Sequence, residues 1–142
     1  LFRSSAASDV YKRQAETIIK PRFYETDQAG HINNTVVPQW LEVARTDFLF
    51  EHAGVNPSMM LRHVAVNYDR ELNFPDEVIV RTSLERLSRS TVTYRQEIWQ
   101  NDICRITATA VDCYFDPVTR SSAPIPDNDR SLFEPYLNNT ES

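Results

Sequence analysis

The eleven residues Tyr24-Glu25-Thr26-Asp27-Gln28-Ala29-Gly30-His31-Ile32-Asn33-Asn34 crowd an acid, a glycine, a histidine and two asparagines into one turn. A carboxylate there can attack a carbonyl or activate water against it, which makes Asp27 the first candidate for a catalytic carboxylate. A turn aspartate that only fastens its own loop would occupy the same place. His31 shares the turn and is a candidate catalytic or substrate-orienting group. Gly30 permits a positive φ or a close backbone approach. The chain has only two glycines, so one spent here points to a demanded geometry. Asn33 and Asn34 stand where a helix begins. They can cap it, and backbone N–H groups at that positive end can also polarise a substrate carbonyl.

Outside the turn, Glu71 in Tyr68-Asp69-Arg70-Glu71-Leu72 is the second carboxylate to consider. It falls on the strand face opposite Val64 and Val66, where a solvated side chain is the plain alternative. Glu42 lies three residues before Arg45 on the helix, a spacing that suits an ion pair and a structural role. Arg86, Arg89 and Ser90 cluster at a hairpin tip and suit phosphate oxygens. The three histidines His31, His52 and His63 have no metal-ligand spacing, and no metal or cofactor is implied.

These groups need a scaffold. Thr17–Tyr24 alternates and reads as a strand, with Pro21 marking an edge or bulge. From Val37 the period becomes helical. Val37, Trp40, Leu41, Ala44 and Phe48 form one stripe, Asn34 or Thr35 supplies the N-cap, and Gly54 stops the helix after Ala53. Strands are predicted over Leu61–Leu72, Glu77–Leu87, Thr91–Gln100 and Ile103–Asp116. The turns Asn73–Asp76, Ser88–Ser90 and Asn101-Asp102 separate them. A short helical turn is expected near Leu132–Tyr136. One strand, one long helix and four strands predict an α+β fold, a five-stranded antiparallel sheet wrapped around a single helix. One helix cannot cover both sheet faces, so a second copy is expected, as homodimer or homotetramer.

Composition narrows the partners. The chain has 15 basic and 20 acidic residues, a net charge of −5. Such a balance disfavours nucleic acid and anionic membrane. No run of apolar residues is long enough to span a bilayer. Thirteen of the 15 basic residues are arginine, a bias that a GC-rich genome explains as well as phosphate binding does. Cys104 and Cys113 lie roughly 30 Å apart on an extended strand, so they do not pair, and reduced thiols fit a cytoplasmic setting. Residues Ser4–Gln14 match the in-frame translation of a transposon-type sequencing-library adapter. Residues 1–14 are therefore expected to be an artefact of assembled environmental DNA, and residues 15–142 to form one domain.

YETDQAGHINN, then WLEVAR on the helix and YDREL on the next strand, together resemble the hot-dog-fold acyl-thioester hydrolases. The 4-hydroxybenzoyl-CoA thioesterase-like group is the nearer match, and the acyl carrier protein thioesterases are more distant. The likeness covers roughly residues 17–118. The resemblance implies the hot-dog fold and a small-molecule acyl-CoA substrate, with acyl carrier protein thioesters as the other thiol carrier. It implies that Asp27 is base or nucleophile and that the backbone amide at Asn34 polarises the carbonyl. Positions matching His31 and Glu71 belong to the active site of the acyl carrier protein branch, which has an asparagine where this chain has Ala29. Gly30 and Asn33, from their place in the turn, are expected to contact substrate. The family often has basic residues at the hairpin, where Arg86, Arg89 and Ser90 are expected to take the phosphates of coenzyme A. A hydratase or dehydratase of acyl thioesters and a non-catalytic acyl-thioester-binding protein are the alternatives.

Overall fold

A computed structural model describes residues 13–138 of the chain, so all but Arg13 and Gln14 of the adapter-like string lies outside the described residues. Strand β1 (Ala15–Ile19) is followed by a 3₁₀ turn at Phe23–Glu25. The predicted strand over Thr17–Tyr24 thus starts earlier and ends before Pro21, whose missing N–H cannot continue a ladder. Helix α1 (Val37–Asp47) widens into a π-helical turn at Phe48–Ala53. Then come β2 (Met59–Tyr68), β3 (Val78–Leu87), β4 (Thr91–Gln100), β5 (Ile103–Asp116), a two-residue β6 (Ser121–Ser122) and helix α2 (Asp127–Phe133).

The predicted helical stripe is the buried face of α1: Val37, Trp40, Leu41, Ala44 and Phe48 are all at most 4% exposed. Pro38 fits the first turn, where its missing N–H costs nothing. Neither member of the expected pair caps the helix. Asn33 caps a 3₁₀ turn, Asn34–Val36, that leads into it, its side chain accepting the Thr35 N–H, and α1 itself starts after Val36 with no side-chain cap. Gly54 ends the helix at φ 78°, as expected of a left-handed stop. The ion pair expected between Glu42 and Arg45 does not form. Arg45 turns inward and donates to Gln96 Oε1 at 3.0 Å, while Glu42 stays exposed.

The sheet is antiparallel in the order β1-β3-β4-β5-β2, with β6 appended to β5. The β3-β4-β5 meander is the predicted one. Asn101 and Asp102 both have positive φ (53° and 63°), as the tight β4-β5 turn requires. Along β5, Ile106, Ala108, Ala110, Asp112 and Tyr114 alternate inward towards α1. Two apolar clusters fill the space under the helix. One surrounds Trp40, Leu41, Val78, Val80 and Ile98, and the other Phe48, Leu84, Tyr94, Phe133 and Tyr136. A polar seam of Arg45, Gln96, Thr82, Tyr94 and Asp112 lies between them. The end of the chain closes the second cluster, with Phe133 stacked on Phe48 and Tyr136 edge-on to it. This helix starts at Asp127, earlier than the turn predicted near Leu132.

Strand β2 is shorter than predicted, since the N–H groups of Asp69 and Arg70 turn to the carbonyl of Arg105 and leave the ladder. It is also an edge, paired only with β5. Met60, Leu61, Val64 and Tyr68 are 39–54% exposed on it, so both its faces are uncovered in one chain. Cys104 and Cys113 are free thiols. No helix among the described residues is long and apolar enough to cross a membrane.

Candidate active site

The Asp27 turn is a miniature hairpin. Thr26 bridges to Ile32, and the Asp27 N–H donates to the His31 carbonyl at 2.8 Å. Gly30 stands at the bend with φ +84°. An added Cβ would meet nothing within 4 Å, so the glycine answers to backbone conformation and not to a close approach. A second set of bonds docks the turn onto the segment after β2: Ile32 N–H to Leu72 O at 2.8 Å and Phe74 N–H to Gly30 O at 3.2 Å. The turn is thereby held between the start of α1 and Glu71.

Asp27 divides its carboxylate. Oδ1 accepts the N–H of Ala29 at 2.8 Å and of His31 at 3.0 Å, while Oδ2 lies 4.0 Å from His31 Nδ1. The Ala29 N–H, helped by that of His31, holds the carboxyl below the ordinary aspartate value. On the other side of the ring, His31 Nε2 is 3.5 Å from Glu71 Oε2. The imidazole therefore stands between two carboxylates, and all three side chains are 39–62% exposed and reachable by a ligand. Glu71 arrives from the loop after β2 and not from the strand face the sequence suggested. Its backbone carbonyl is held by Arg105 Nη1 at 3.1 Å.

The helix start completes the cluster. Asn33 Oδ1 takes the N–H of Thr35, Asn33 O takes that of Val36, and Asn34 O takes that of Val37. The N–H of Asn34 is left without an acceptor among the described residues, at the positive end of the helix dipole. Tyr68 Oη donates to the Asn34 carbonyl at 3.1 Å and ties the end of β2 to this point. Glu25 escaped the sequence reading. Its carboxylate takes the N–H groups of Arg22 and of the Trp40 indole (2.8 and 3.1 Å), and its carbonyl takes the Asn33 N–H. It pins the turn to α1. Nothing in its spacing marks it, nor Arg105.

Arg86, Arg89 and Ser90 are not brought to this cluster. Arg86 stands near the far end of β3, roughly 25 Å along the strand from Val78, and Arg89 and Ser90 lie in the turn beyond it. The carbonyls of Arg89 and Ser90 are fastened by Ile125 and Tyr114 N–H groups, and both arginine side chains are exposed. Among the described residues no group of three or more His, Cys, Asp or Glu is arranged to hold a metal ion.

The thioesterase superfamily profile matches residues 29–105. A candidate esterase of Aquifex aeolicus (strain VF5) is 27% identical over 111 residues, covering 73% of this chain and 82% of that one. Among solved structures, a predicted thioesterase of Bacillus stearothermophilus is 30% identical with a TM-score of 0.81, covering 88% of this chain and 97% of its own. A thioesterase of Thermus thermophilus, complexed with coenzyme A and Zn, is 22% identical with a TM-score of 0.76 over 84% and 90% of the two chains.

Proposed function

The chain belongs to the thioesterase superfamily, and from that premise we propose that it hydrolyses acyl-CoA to free acid and coenzyme A. The observation that carries the reading is the His31 ring set between Asp27 and Glu71, beside the free N–H of Asn34. In this reading the thioester's carbonyl oxygen accepts that N–H while its carbon meets Asp27 Oδ2. Asp27, ionised at neutral pH, then acts as nucleophile or draws the proton from an attacking water. Negative charge grows on the carbonyl oxygen as the new C–O bond forms, which is where the Asn34 N–H and helix dipole stabilise most. Collapse breaks the C–S bond, and the leaving thiolate takes up the proton that Asp27 drew from water. Where Asp27 itself was the nucleophile, a water then hydrolyses the acyl–Asp27 anhydride, which frees the acid, restores the carboxylate and supplies the thiol's proton. His31 orients the carboxylate and water, with Glu71 fixing the ring from behind. Gly30 and Asn33 shape the backbone that meets the substrate.

Coenzyme A as the thiol half is supported by the Thermus thermophilus neighbour of the same fold, which holds it. Acyl carrier protein is the competing carrier. The phosphates fall to Arg86, Arg89 and Ser90 of a second copy. Antiparallel pairing of two β2 edges turns one chain's hairpin tip towards the end of the sheet where the other's Asp27 lies. We place the enzyme in the cytoplasm, where its free thiols stay reduced.

A thiol-release assay over acyl-CoAs of graded length, aromatic acyl groups included, tests the reading. Free thiol in proportion to acid is the expected result. A change in enoyl absorbance without thiol would make the protein a hydratase or dehydratase, and binding without turnover a non-catalytic acyl-thioester-binding protein.

A further inference from the structure

Asp112 is a buried carboxylate with no cation in salt-bridge contact among the described residues. Only 9% exposed, it accepts one hydrogen bond, from Tyr94 Oη to Oδ2 at 2.8 Å. The nearby Arg45 is engaged elsewhere, donating to Gln96 and lying over the Tyr94 ring at 5.9 Å. Burial pushes the Asp112 carboxyl above its ordinary value, with the Tyr94 bond and Arg45 charge pulling the other way and Glu42 adding to the rise. Folding gains little from such a group, because desolvating a charge costs more than one neutral hydrogen bond returns. Its second oxygen, Oδ1, has no partner among the described residues, yet it is not sealed from solvent as Thr93 Oγ1 is.

Asp112 lies beside the edge strand β2. Asp112 pairs in register with Leu61, and the side chains of a pair share a sheet face. Further along β2 the same helix-side face carries Val64, Val66 and Tyr68, opposite Ala110, Ala108 and Ile106. Leu61, Val64 and Tyr68 are all exposed. Tyr68 touches the Asn34 carbonyl, so this apolar track begins beside the candidate carbonyl site and ends at a carboxylate. Its length is six residues of β5, about 20 Å. An aryl acyl group held at Asn34 is too short to span it, whereas an extended long acyl chain reaches.

Building on the thioesterase reading above, we propose that Asp112, held by Tyr94, is the far-end subsite of the acyl track and selects long acyl chains whose distal end carries a hydroxyl. A hydroxyl donates to Oδ1 and satisfies it. A terminal methyl leaves the carboxylate desolvated and unpaired. Arg45 and Glu42 lie near with opposite charges, so the end group is neutral.

Length-matched pairs of acyl-CoAs, one ending in methyl and the other in a primary hydroxyl, read the subsite directly. The long hydroxylated member is expected to have the higher kcat/KM by at least about tenfold. The short pair, which cannot reach Asp112, should show no preference. Asp112→Asn keeps an acceptor for Tyr94 but drops the charge, so the preference should shrink, and Asp112→Leu should reverse it. Equal kcat/KM within every pair overturns the proposal, and so does a preference that survives Asp112→Leu. Should the variants fail to fold, the wild-type pairs alone decide. If no member releases thiol, the hydrolase reading fails and the intact thioesters become ligands for calorimetry. Tighter binding of the long hydroxylated member would then uphold the subsite, and equal binding would refute it.

Discussion

At Asp27 one carboxylate oxygen fastens the turn, and the other is left for the catalytic role proposed above. Oδ1 is spent on the N–H groups of Ala29 and His31, and Oδ2 is left facing the ring. Asp27→Asn can keep the first role through its amide oxygen while losing the second. It should fold normally and lower kcat by about 10²-fold or more in a thiol-release assay. Near-normal turnover in the folded variant would transfer the role to Glu71, with Glu71→Gln as the deciding measurement. The lowered Asp27 value also fixes a sign. Its carboxylate persists below the ordinary aspartate pH, so the activity it supports is lost only as pH falls through that depressed value. The acid limb of kcat/KM should therefore lie below the usual carboxylate range. A limb in the imidazole range would instead make a histidine the limiting group.

At the scale of elements, Asp112 reports on the seam between the two core clusters. Its carboxyl is raised in the folded chain, mainly by burial, so the folded state binds this proton more tightly than the unfolded one. Stability stored there is present at low pH and is lost as pH rises through the raised value. Asp112→Asn should then raise Tm at neutral pH and have less effect in acid, as thermal melts across pH would record. No change in Tm at neutral pH would mean that Arg45 already compensates the charge. The seam was hidden from the sequence because Arg45, Gln96 and Asp112 look like outward positions. Only the helix-to-sheet packing turns Arg45 inward, to the side-chain oxygen of Gln96 on β4, 51 residues away. The α1 stripe, Gly54 and the β3-β4-β5 meander were legible because each rests on local period or turn chemistry. The Asp27 turn was legible for the same reason. Glu71 was placed on a strand that ends earlier, since the Arg105 carbonyl, distant in sequence, captures the Asp69 and Arg70 amides.

At the scale of the whole molecule, one chain leaves a sheet edge open. An edge strand of ten residues with apolar groups on both faces is a template for another strand. A second copy would meet that need by pairing β2 with β2 about a two-fold axis, and we expect that arrangement. Light scattering should give at least a dimer mass at micromolar concentration, and a clean monomer mass would sink the arrangement. The same axis makes the hairpin arginines a question of which chain they serve. Arg86→Ala with Arg89→Ala should raise KM for acyl-CoA and leave kcat unchanged, since phosphate contacts are equal in ground and transition states. Each exposed contact is worth only about 1–2 kcal/mol after screening by salt. Acyl-pantetheine, which lacks the nucleotide phosphates, should be indifferent to the change. Mixing this variant with Asp27→Asn chains then separates the two geometries. If the arginines act across the interface, each mixed dimer holds one site with Asp27 from one chain and intact arginines from the other, and a wild-type KM reappears. If they act within their own chain, every site with Asp27 also lacks its arginines, and KM stays raised however the chains are mixed. Loss of activity on acyl-CoA and acyl-pantetheine alike would make the hairpin tip a structural turn, and loss on neither would move the phosphate site elsewhere.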